Sequence, residues 1–80
     1  MSVFPNPTND RVNIVFPALT GEATVSILSG DGRLMDQFQV NQTSGERLVY
    51  NTDNLRNGAY LIRVEQDNGS EKTVRLLIAH

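Results

Sequence analysis

Carboxylate and amide side chains are the residues of this sequence with the most obvious capacity for chemistry. The relevant positions are Asp31, Asp36, Asn51, Asp53, Asp67 and Asn68. Oxygen ligands of this kind bind calcium, but the sequence lacks the Asp-x-[Asp/Asn]-x-[Asp/Asn]-Gly loop with a distal Glu that builds such a site. Asp and Asn also favour turns, because their side chains bond to nearby backbone. The sequence therefore predicts turns here, with no metal site and no cofactor.

No catalytic set of side chains can be assembled either. Cysteine is absent, so there is no thiolate nucleophile or zinc–thiolate site. His80 is the only histidine and the last residue, where a fraying end or a tag remnant is a simpler explanation than a ligand. Asn41-Gln42-Thr43 matches a glycosylation sequon, which carries little weight because no signal peptide is visible. Without a nucleophile–base pair, the sequence predicts a protein that is not an enzyme.

Length and charge narrow the function classes further. The 80 residues fit a single domain over 1–80, and 39% hydrophobic content is enough for a core. Seven basic and nine acidic side chains give a net charge of -2, which argues against a nucleic-acid partner. No apolar run approaches the roughly 20 residues of a spanning helix. Lys72 and Arg75 are interpreted as the solvent face of the last strand.

Turn residues divide the chain into short runs of alternating polarity, which is typical of an all-β sandwich or barrel. The turns are predicted at Pro5-Asn6-Pro7, Pro17, Gly21, Gly30-Asp31-Gly32, Ser44-Gly45, Asn57-Gly58 and Asn68-Gly69. The six predicted strands are Arg11–Phe16, Glu22–Ser29, Arg33–Val40, Arg47–Asn51, Ala59–Glu65 and Glu71–Ala79, with a seventh at Val3–Phe4. Thr52–Asn57 is predicted to form a single helical turn. The expected fold is an immunoglobulin-like, Greek-key β-sandwich of about seven strands.

The third of these runs carries a charge on its apolar side. Leu34, Phe38 and Val40 alternate on the expected core face, and Asp36 falls on the same face. A buried, unpaired carboxylate is costly. The pattern therefore predicts a β-bulge or an edge position for this strand.

The segment from Leu55 to Tyr60 is the most informative local pattern. A tyrosine near the start of a late strand in Greek-key sandwiches often bonds its hydroxyl to backbone a few residues upstream. Leu55 would then fill the core, Gly58 would adopt the left-handed conformation, and Tyr60 would bury its ring. The alternative function of Tyr60 is an aromatic platform for a ligand.

Pro5-Asn6-Pro7 is the second informative pattern. The two prolines remove two backbone donors and favour an extended chain, and Asn6 can cap the turn. One interpretation is a segment that protects a sheet edge against strand addition. The other is a recognition element.

Taken in order, the motifs resemble the C-terminal sorting domains of the type IX secretion system of Bacteroidetes. Val3-Phe4-Pro5-Asn6-Pro7 is similar to the opening motif of that family, and Val25 to Leu34 to its strand–turn–strand. Leu55 to Val64 resembles its Leu, Gly and Tyr signature. Gly69 and Lys72 stand where the family has its final glycine and lysine. The similarity covers essentially the whole chain, although family members commonly end in basic residues and this sequence ends in Ala79-His80.

The resemblance implies a secretion signal. In that family a larger cargo protein precedes the domain and crosses the periplasm. The outer-membrane translocon then reads the folded domain, and a sortase-like surface peptidase usually removes it. The cargo finishes on the outer membrane, at the cell surface or outside the cell.

The recognition surface is the hypothesis that follows for individual residues. The sequence is apolar on both sides at Leu76, Leu77 and Ile78. We therefore expect Gly69, Lys72 and the last strand through Ile78 to be read by the translocon, with free strand edges open to strand addition or to dimerisation. Gly58 and Tyr60 are expected to hold the fold.

Two other function classes stay open at this point. A fibronectin-like accessory module could bind carbohydrate, which would call for exposed aromatic side chains. A linker domain between larger domains would call for a chain that continues past His80.

Overall fold

The chain folds as two antiparallel sheets packed face to face. A computed structural model describes residues 1–16, 22–41, 47–67 and 69–80. The strands are β1 (Ser2–Phe4), β2 (Arg11–Val15), β3 (Ala23–Ser29), β4 (Leu34–Val40), β5 (Arg47–Asn51), β6 (Gly58–Gln66) and β7 (Glu71–Ile78). All seven predicted strands are confirmed, and their bounds agree to within one residue. In these ranges we find no helix long and apolar enough to cross a membrane.

The strand order gives the sandwich its topology. One sheet has the order β1-β2-β5, and the other has the order β4-β3-β6-β7. If the strands are lettered A, B, C, C′, E, F and G in chain order, the sheets read A-B-E and C′-C-F-G. This order follows the immunoglobulin-like pattern in which strands B and E share one sheet and strands C, F and G share the other. The predicted all-β sandwich is confirmed.

The core lies between the sheets and takes alternate side chains from each strand. Its buried members are Val12, Ile14, Phe16, Ala23, Val25, Ile27, Leu55, Tyr60, Ile62, Val64, Leu76 and Ile78. Four of these from the central strands, Val25, Ile27, Ile62 and Val64, are at most 1% exposed. The alternation of the sequence thus positions every second side chain of β6 and β7 inward and leaves the rest on the outer face.

Strand β4 departs from the predicted alternation in a specific way. Ile27 pairs with Asp36 but Leu28 pairs with Leu34, so Met35 is an extra residue and forms a bulge. The bulge and the edge position inferred from Asp36 are both confirmed. The core position predicted for Leu34 is wrong, because the extra residue turns Leu34 to the outer face, where it is 53% exposed.

The turns that connect the strands can be compared with those predicted from the sequence. The hairpin after β3 is confirmed, with Gly32 at a φ of 90° and its N–H donating to the Ser29 carbonyl at 2.9 Å. The single turn predicted at Thr52–Asn57 is present, as a β-turn rather than a helical segment. It is closed by Leu55 N–H donating to the Thr52 carbonyl at 3.0 Å. The turns predicted at Pro17, Gly21, Ser44-Gly45 and Asn68, and most of the Asn41-Gln42-Thr43 sequon, lie outside the described residues.

Candidate recognition surface on strand β7

The segment before β6 forms the predicted tyrosine corner. The Tyr60 hydroxyl donates to the Arg56 carbonyl at 2.7 Å, and the side chain is only 6% exposed. Leu55 is buried beneath it. Gly58 has a φ of 150°, a conformation that L side chains rarely adopt, rather than the predicted left-handed helical one. The buried ring excludes Tyr60 as an exposed ligand platform, so the structure supports the fold-holding interpretation of this motif.

Strand β7 presents different side chains to its two faces. Leu76 and Ile78 are buried against the core, whereas Leu77 is 44% exposed on the outer face. Lys72 pairs with Val64, and Arg75 pairs with Leu61. Because alternate residues face opposite sides, Lys72 and Arg75 project from opposite faces of the sheet. The interpretation of these two cations as one solvent face is therefore wrong, although both are exposed.

The Pro5-Asn6-Pro7 segment lies along the outer edge of β7. The Asn6 amide donates from Nδ2 to the Arg75 carbonyl at 2.8 Å and accepts from Leu77 N–H through Oδ1 at 3.0 Å. The side chain thus bonds to a strand as a neighbouring backbone would. Both peptide bonds that precede the prolines are cis, which the predicted extended segment did not include.

Thr8 continues this cover with its backbone. Its N–H donates to the Leu77 carbonyl at 3.0 Å, and its carbonyl accepts from Ala79 N–H at 2.8 Å. The contact forms a short parallel bridge between Thr8 and Ile78. We call residues 5–8 the arm. The edge-protecting interpretation of the proline motif is confirmed, and the role of Asn6 as a local turn cap is wrong, because its amide bonds to β7 instead.

The arm changes what the β7 edge can bind. The edge position expected for β7 is confirmed, but the arm occupies residues 75–79 of this edge, so strand addition there is limited to the part of β7 before residue 75. The outward backbone groups of Glu71 and Thr73 have no hydrogen bond from another described residue. Gly69 begins this open part with a φ of 88°, and its N–H closes the preceding turn on the Gln66 carbonyl at 3.0 Å.

The structure brings some of the predicted recognition residues together and separates others. Pro5, Asn6 and Pro7 lie against the β7 segment that contains Leu76, Leu77 and Ile78. Lys72 is five residues along the strand from Leu77, which corresponds to about 17 Å at the rise of an antiparallel strand. Gly69 lies farther still. The candidate residues therefore form two clusters, one at each end of β7.

The cations on β6 and β7 differ in whether they have an ion-pair partner. Arg63 forms ion pairs with Glu65 at 3.5 Å and with Glu71 at 3.8 Å, and all three side chains are more than one third exposed. Exposed pairs of this kind contribute little to stability. Neither Lys72 nor Arg75 forms an ion pair with another residue of the described ranges. These two cations are therefore available to an anionic partner.

His80 is fixed rather than frayed, contrary to the sequence interpretation. Its backbone N–H donates to Asn57 Oδ1 at 2.9 Å. Its ring nitrogens Nε2 and Nδ1 each lie 2.6 Å from a carbonyl oxygen, of Leu55 and Asn9 respectively. Two acceptors need two donors, which only the imidazolium provides. The hydrogen bonds to Leu55 and then to Asn9 raise the pKa of His80, the Asp53 charge adds to this, and desolvation opposes it.

Two of the residues first considered for calcium, Asp31 and Asn51, serve turns, whereas Asp36 lies in β4 and accepts from Tyr50. Ser29 and the Arg33 N–H both donate to the Asp31 carboxylate, and these bonds lower its pKa in that order. Asn51 Oδ1 accepts from Asp53 N–H at 2.8 Å. The parts of the chain that the structure describes contain no group of three or more His, Cys, Asp or Glu side chains placed to hold a metal ion.

The aromatic side chains do not form a carbohydrate platform. Phe16 and Tyr60 are buried, and Phe38 and Tyr50 stack on each other with ring centroids 5.7 Å apart. Phe4 is the large exposed aromatic, at 43%. A single exposed ring leaves the accessory binding module without the surface that it needs.

Comparison with known proteins identifies the family. Residues 2–79 match the family described as the secretion system C-terminal sorting domain. The chain belongs to this family. The sorting domain is the C-terminal sorting signal of type IX secretion cargo, so a cargo protein precedes it and the type IX machinery exports that cargo to the cell surface or the medium. No curated protein and no solved structure gives a significant match.

Several important residues of this sorting domain were missed from sequence. Thr8, Asn9 and His80 form hydrogen bonds with residues 23 to 71 positions away. Their types carry no period and no motif that would point to such distant partners. The two prolines indicated a protected edge, but the identity of that edge depended on the strand order.

Proposed function

We propose that the folded sandwich itself is the address that the type IX outer-membrane translocon reads. In this proposal the cargo passes through the periplasm with the sorting domain folded behind it. A sortase-like surface peptidase then removes the domain, which performs no catalysis. The family match over residues 2–79 is the observation that carries the proposal. A rigid surface suits this task, because a fixed arrangement of side chains binds with less loss of conformational freedom than a flexible peptide.

The residues that we assign to recognition lie on both faces of β7, in the turn before it, and in the arm that covers its edge. They are Pro5, Asn6, Pro7, Gly69, Lys72, Leu76, Leu77 and Ile78, with Gly58 and Tyr60 holding the fold. Leu76 and Ile78 are buried, so their contribution is to fix the strand. Since the arm occupies residues 75–79 of the edge, the exposed side chains of Lys72 and Leu77 offer the direct contacts.

Export of a cargo fusion tests this assignment. The full 80-residue chain is fused behind a reporter with its own inner-membrane signal, in a bacterium with an intact type IX system. We expect Lys72→Glu to retain the reporter in the periplasm, because it reverses the charge offered to an anionic site. Arg47→Glu is the matched control, since it reverses an exposed cation on the other sheet.

The outcome is interpretable only for folded variants. Circular dichroism of the purified variants establishes that each retains its sheet content and melting transition. If Lys72→Glu folds and its reporter still reaches the surface at the normal level, Lys72 is not part of the address. If a fusion without the sorting domain is also delivered, the address function itself is refuted.

A further inference from the structure

The outer face of the four-stranded sheet carries an apolar patch where polar residues are expected. Leu28 pairs with both Leu34 and Leu61, so these three lie side by side on neighbouring strands. Leu77 on β7 pairs with Ala59 and is therefore the diagonal neighbour of Leu61 on the same face. Leu34 and Leu77 are 53% and 44% exposed, Leu61 is half-buried, and Leu28 is 9% exposed between its neighbours. We call Leu28, Leu34, Leu61 and Leu77 the leucine patch. It crosses all four strands at one end of the sheet.

The other end of the same face is polar, as a solvated sheet face normally is. The outward side chains there are Thr24, Ser26, Arg63, Glu65 and Thr73. Two of them, Arg63 and Glu65, are joined by an ion pair. The leucine patch thus differs from the polar rest of this face. Contiguous exposed apolar surface on a small domain often marks an interaction site.

A hollow opens beside the leucine patch. It has a volume of about 290 Å³ and is lined by Gly30, Ala59, Tyr60, Leu61 and Arg75. Gly30 and Ala59 make it concave, because neither has a side chain large enough to fill it. A Cβ added at Gly30 would come within 3.1 Å of the Ala59 carbonyl oxygen, so the turn after β3 closely approaches the backbone of β6 at this point. The volume is at the lower limit of about 300 Å³ for small-molecule sites, which suits an inserted side chain better than a cofactor.

Arg75 gives the hollow its charge preference. It pairs with Leu61 across the strands and lies between the leucine patch and the open part of the β7 edge. Arg63, the neighbouring cation on this face, is neutralised by Glu65 and Glu71, whereas Arg75 forms no ion pair with a residue of the described ranges. An apolar hollow beside one exposed guanidinium that has no ion-pair partner among the described residues fits an apolar side chain that has a carboxylate beside it.

We propose that the leucine patch and the hollow form a docking surface for an acidic, apolar segment of a protein of the secretion machinery. The segment would insert an apolar side chain beside Ala59 and Leu61 and bring a carboxylate to Arg75. Asn6 bonds to the backbone of Arg75 and Leu77, so the arm holds this part of β7 in position. The inference rests on the proposed function and deepens it by naming the chemistry of the partner.

A second copy of the chain fits this surface less well. Two leucine patches stacked on each other would bring two Arg75 guanidinium groups into one contact, and like charges placed together oppose association. Each copy also has a net charge of -2. We therefore assign the surface to the secretion machinery and treat dimerisation as an outcome of the test.

The test compares surface delivery of the reporter fusion for variants of the full chain. We expect Arg75→Glu and Leu77→Ser each to lower delivery at least about tenfold, as expected for one lost charge pair or one exposed leucine left without its contact. Arg75→Lys keeps the charge and retains most of the delivery. Val49→Ser and Arg47→Glu make the same chemical changes on the outer face of the other sheet, where Val49 is 54% exposed, and leave delivery unchanged.

A charge-reversal selection identifies the partner. Cells that carry Arg75→Glu are selected for restored delivery, and we expect the restoring mutations to change an acidic residue of a secretion component to a basic one. Arg75 is exposed, so its variant is expected to fold even if Leu77→Ser does not; the melting transition checks both.

Three results would overturn the inference. One is normal surface delivery by folded Arg75→Glu and Leu77→Ser variants, while a fusion without the sorting domain stays inside the cell. This result would refute the docking surface but not the proposed function. Another is a set of restoring mutations that lie only within the sorting domain. The third is a dimer, seen by sedimentation, that Leu77→Ser converts to a monomer without a change in delivery, since the surface would then be a self-interface.

Discussion

The two edges of the four-stranded sheet are protected by different means. At the β7 edge, the Asn6 amide and the Thr8 backbone bond outward-facing backbone groups of the strand. At the β4 edge, a bulge interrupts the register, and the Asp36 carboxylate points inward to accept a hydrogen bond from the Tyr50 hydroxyl at 2.8 Å. Natural sheets use both a cover and an inward charge against edge-to-edge association.

This difference in protection indicates which of the two edges a single substitution can expose. Protection of β7 depends on hydrogen bonds from residues far away in the sequence. Protection of β4 is built into the strand by the extra residue Met35 and by Asp36. Burial, the hydrogen bond with Asp36 and the charge of Asp36 also raise the pKa of Tyr50, which keeps its hydroxyl protonated as the donor. We therefore expect β7 to be the more vulnerable edge.

A substitution in the centre of the sheet is expected to lower the free energy of unfolding more than a substitution at either edge. Ile62 on β6 is fully buried between the two sheets. Ile62→Ala should lower the free energy of unfolding by about 2–5 kcal/mol, because it removes buried methylene groups and leaves a cavity. Urea denaturation measures the change. A loss no larger than that of an edge variant would mean that the edges, rather than the centre, carry the stability of the sheet.

Asn6→Ala breaks the cover of the β7 edge. It removes two hydrogen bonds, for which we expect a loss of about 1–3 kcal/mol in the free energy of unfolding. It should also produce concentration-dependent dimers in sedimentation, since the edge is then open to strand pairing. Asn54→Ala is the matched control, because Asn54 is exposed and in a turn. An Asn6→Ala chain that stays monomeric and fully stable would contradict the protective role of the arm.

Tyr50→Phe tests the β4 edge. It removes the hydrogen bond to Asp36 but keeps the ring that stacks on Phe38. The expected loss in the free energy of unfolding is about 1 kcal/mol, and the chain should remain a monomer because the bulge and Asp36 stay in place. Dimers formed by this variant as readily as by Asn6→Ala would remove the distinction between the edges.

The smallest expected effect on stability is the pH dependence that comes from the hydrogen bonds of His80, which follows β7. The folded pKa of His80 is raised above its ordinary value of 6.5, so the stability it contributes is fully present below that pH. It is lost as the pH rises through the folded pKa. Denaturation of the wild-type chain and of His80→Gln at a series of pH values should show the difference between them shrink toward alkaline pH. A difference that does not change with pH would show that the ring is neutral in the folded chain.

The sequence predicted the parts of the molecule that depend on local chemistry. Alternation placed the strands, and the spacing of Leu55, Gly58 and Tyr60 predicted the corner. Asp36 on an apolar face predicted the bulge, because an inward carboxylate must find a partner or an edge. Each of these signals lies within about ten residues.

The parts that sequence did not predict depend on tertiary contacts. The outward turn of Leu34 follows from the exact position of the bulge, which the pattern did not specify. The separation of Lys72 from Arg75 follows from register and was accessible, since they are three apart on one strand and must face opposite sides. The arm could not be assigned to β7 before the strand order was known. No local signal in the sequence predicted the hydrogen bonds of His80.

The bonds between the arm and β7 also set an order of events for a chain that is synthesised from its N-terminus. Asn6 and its partners are 69 and 71 residues apart, so the arm is among the first of these residues to emerge and must wait for the last. Such long-range contacts form late, because they need the intervening chain to be in place. A copy interrupted anywhere before residue 75 therefore cannot complete the surface. Under the proposed function, recognition of the folded domain would therefore depend on a chain that includes all of β7.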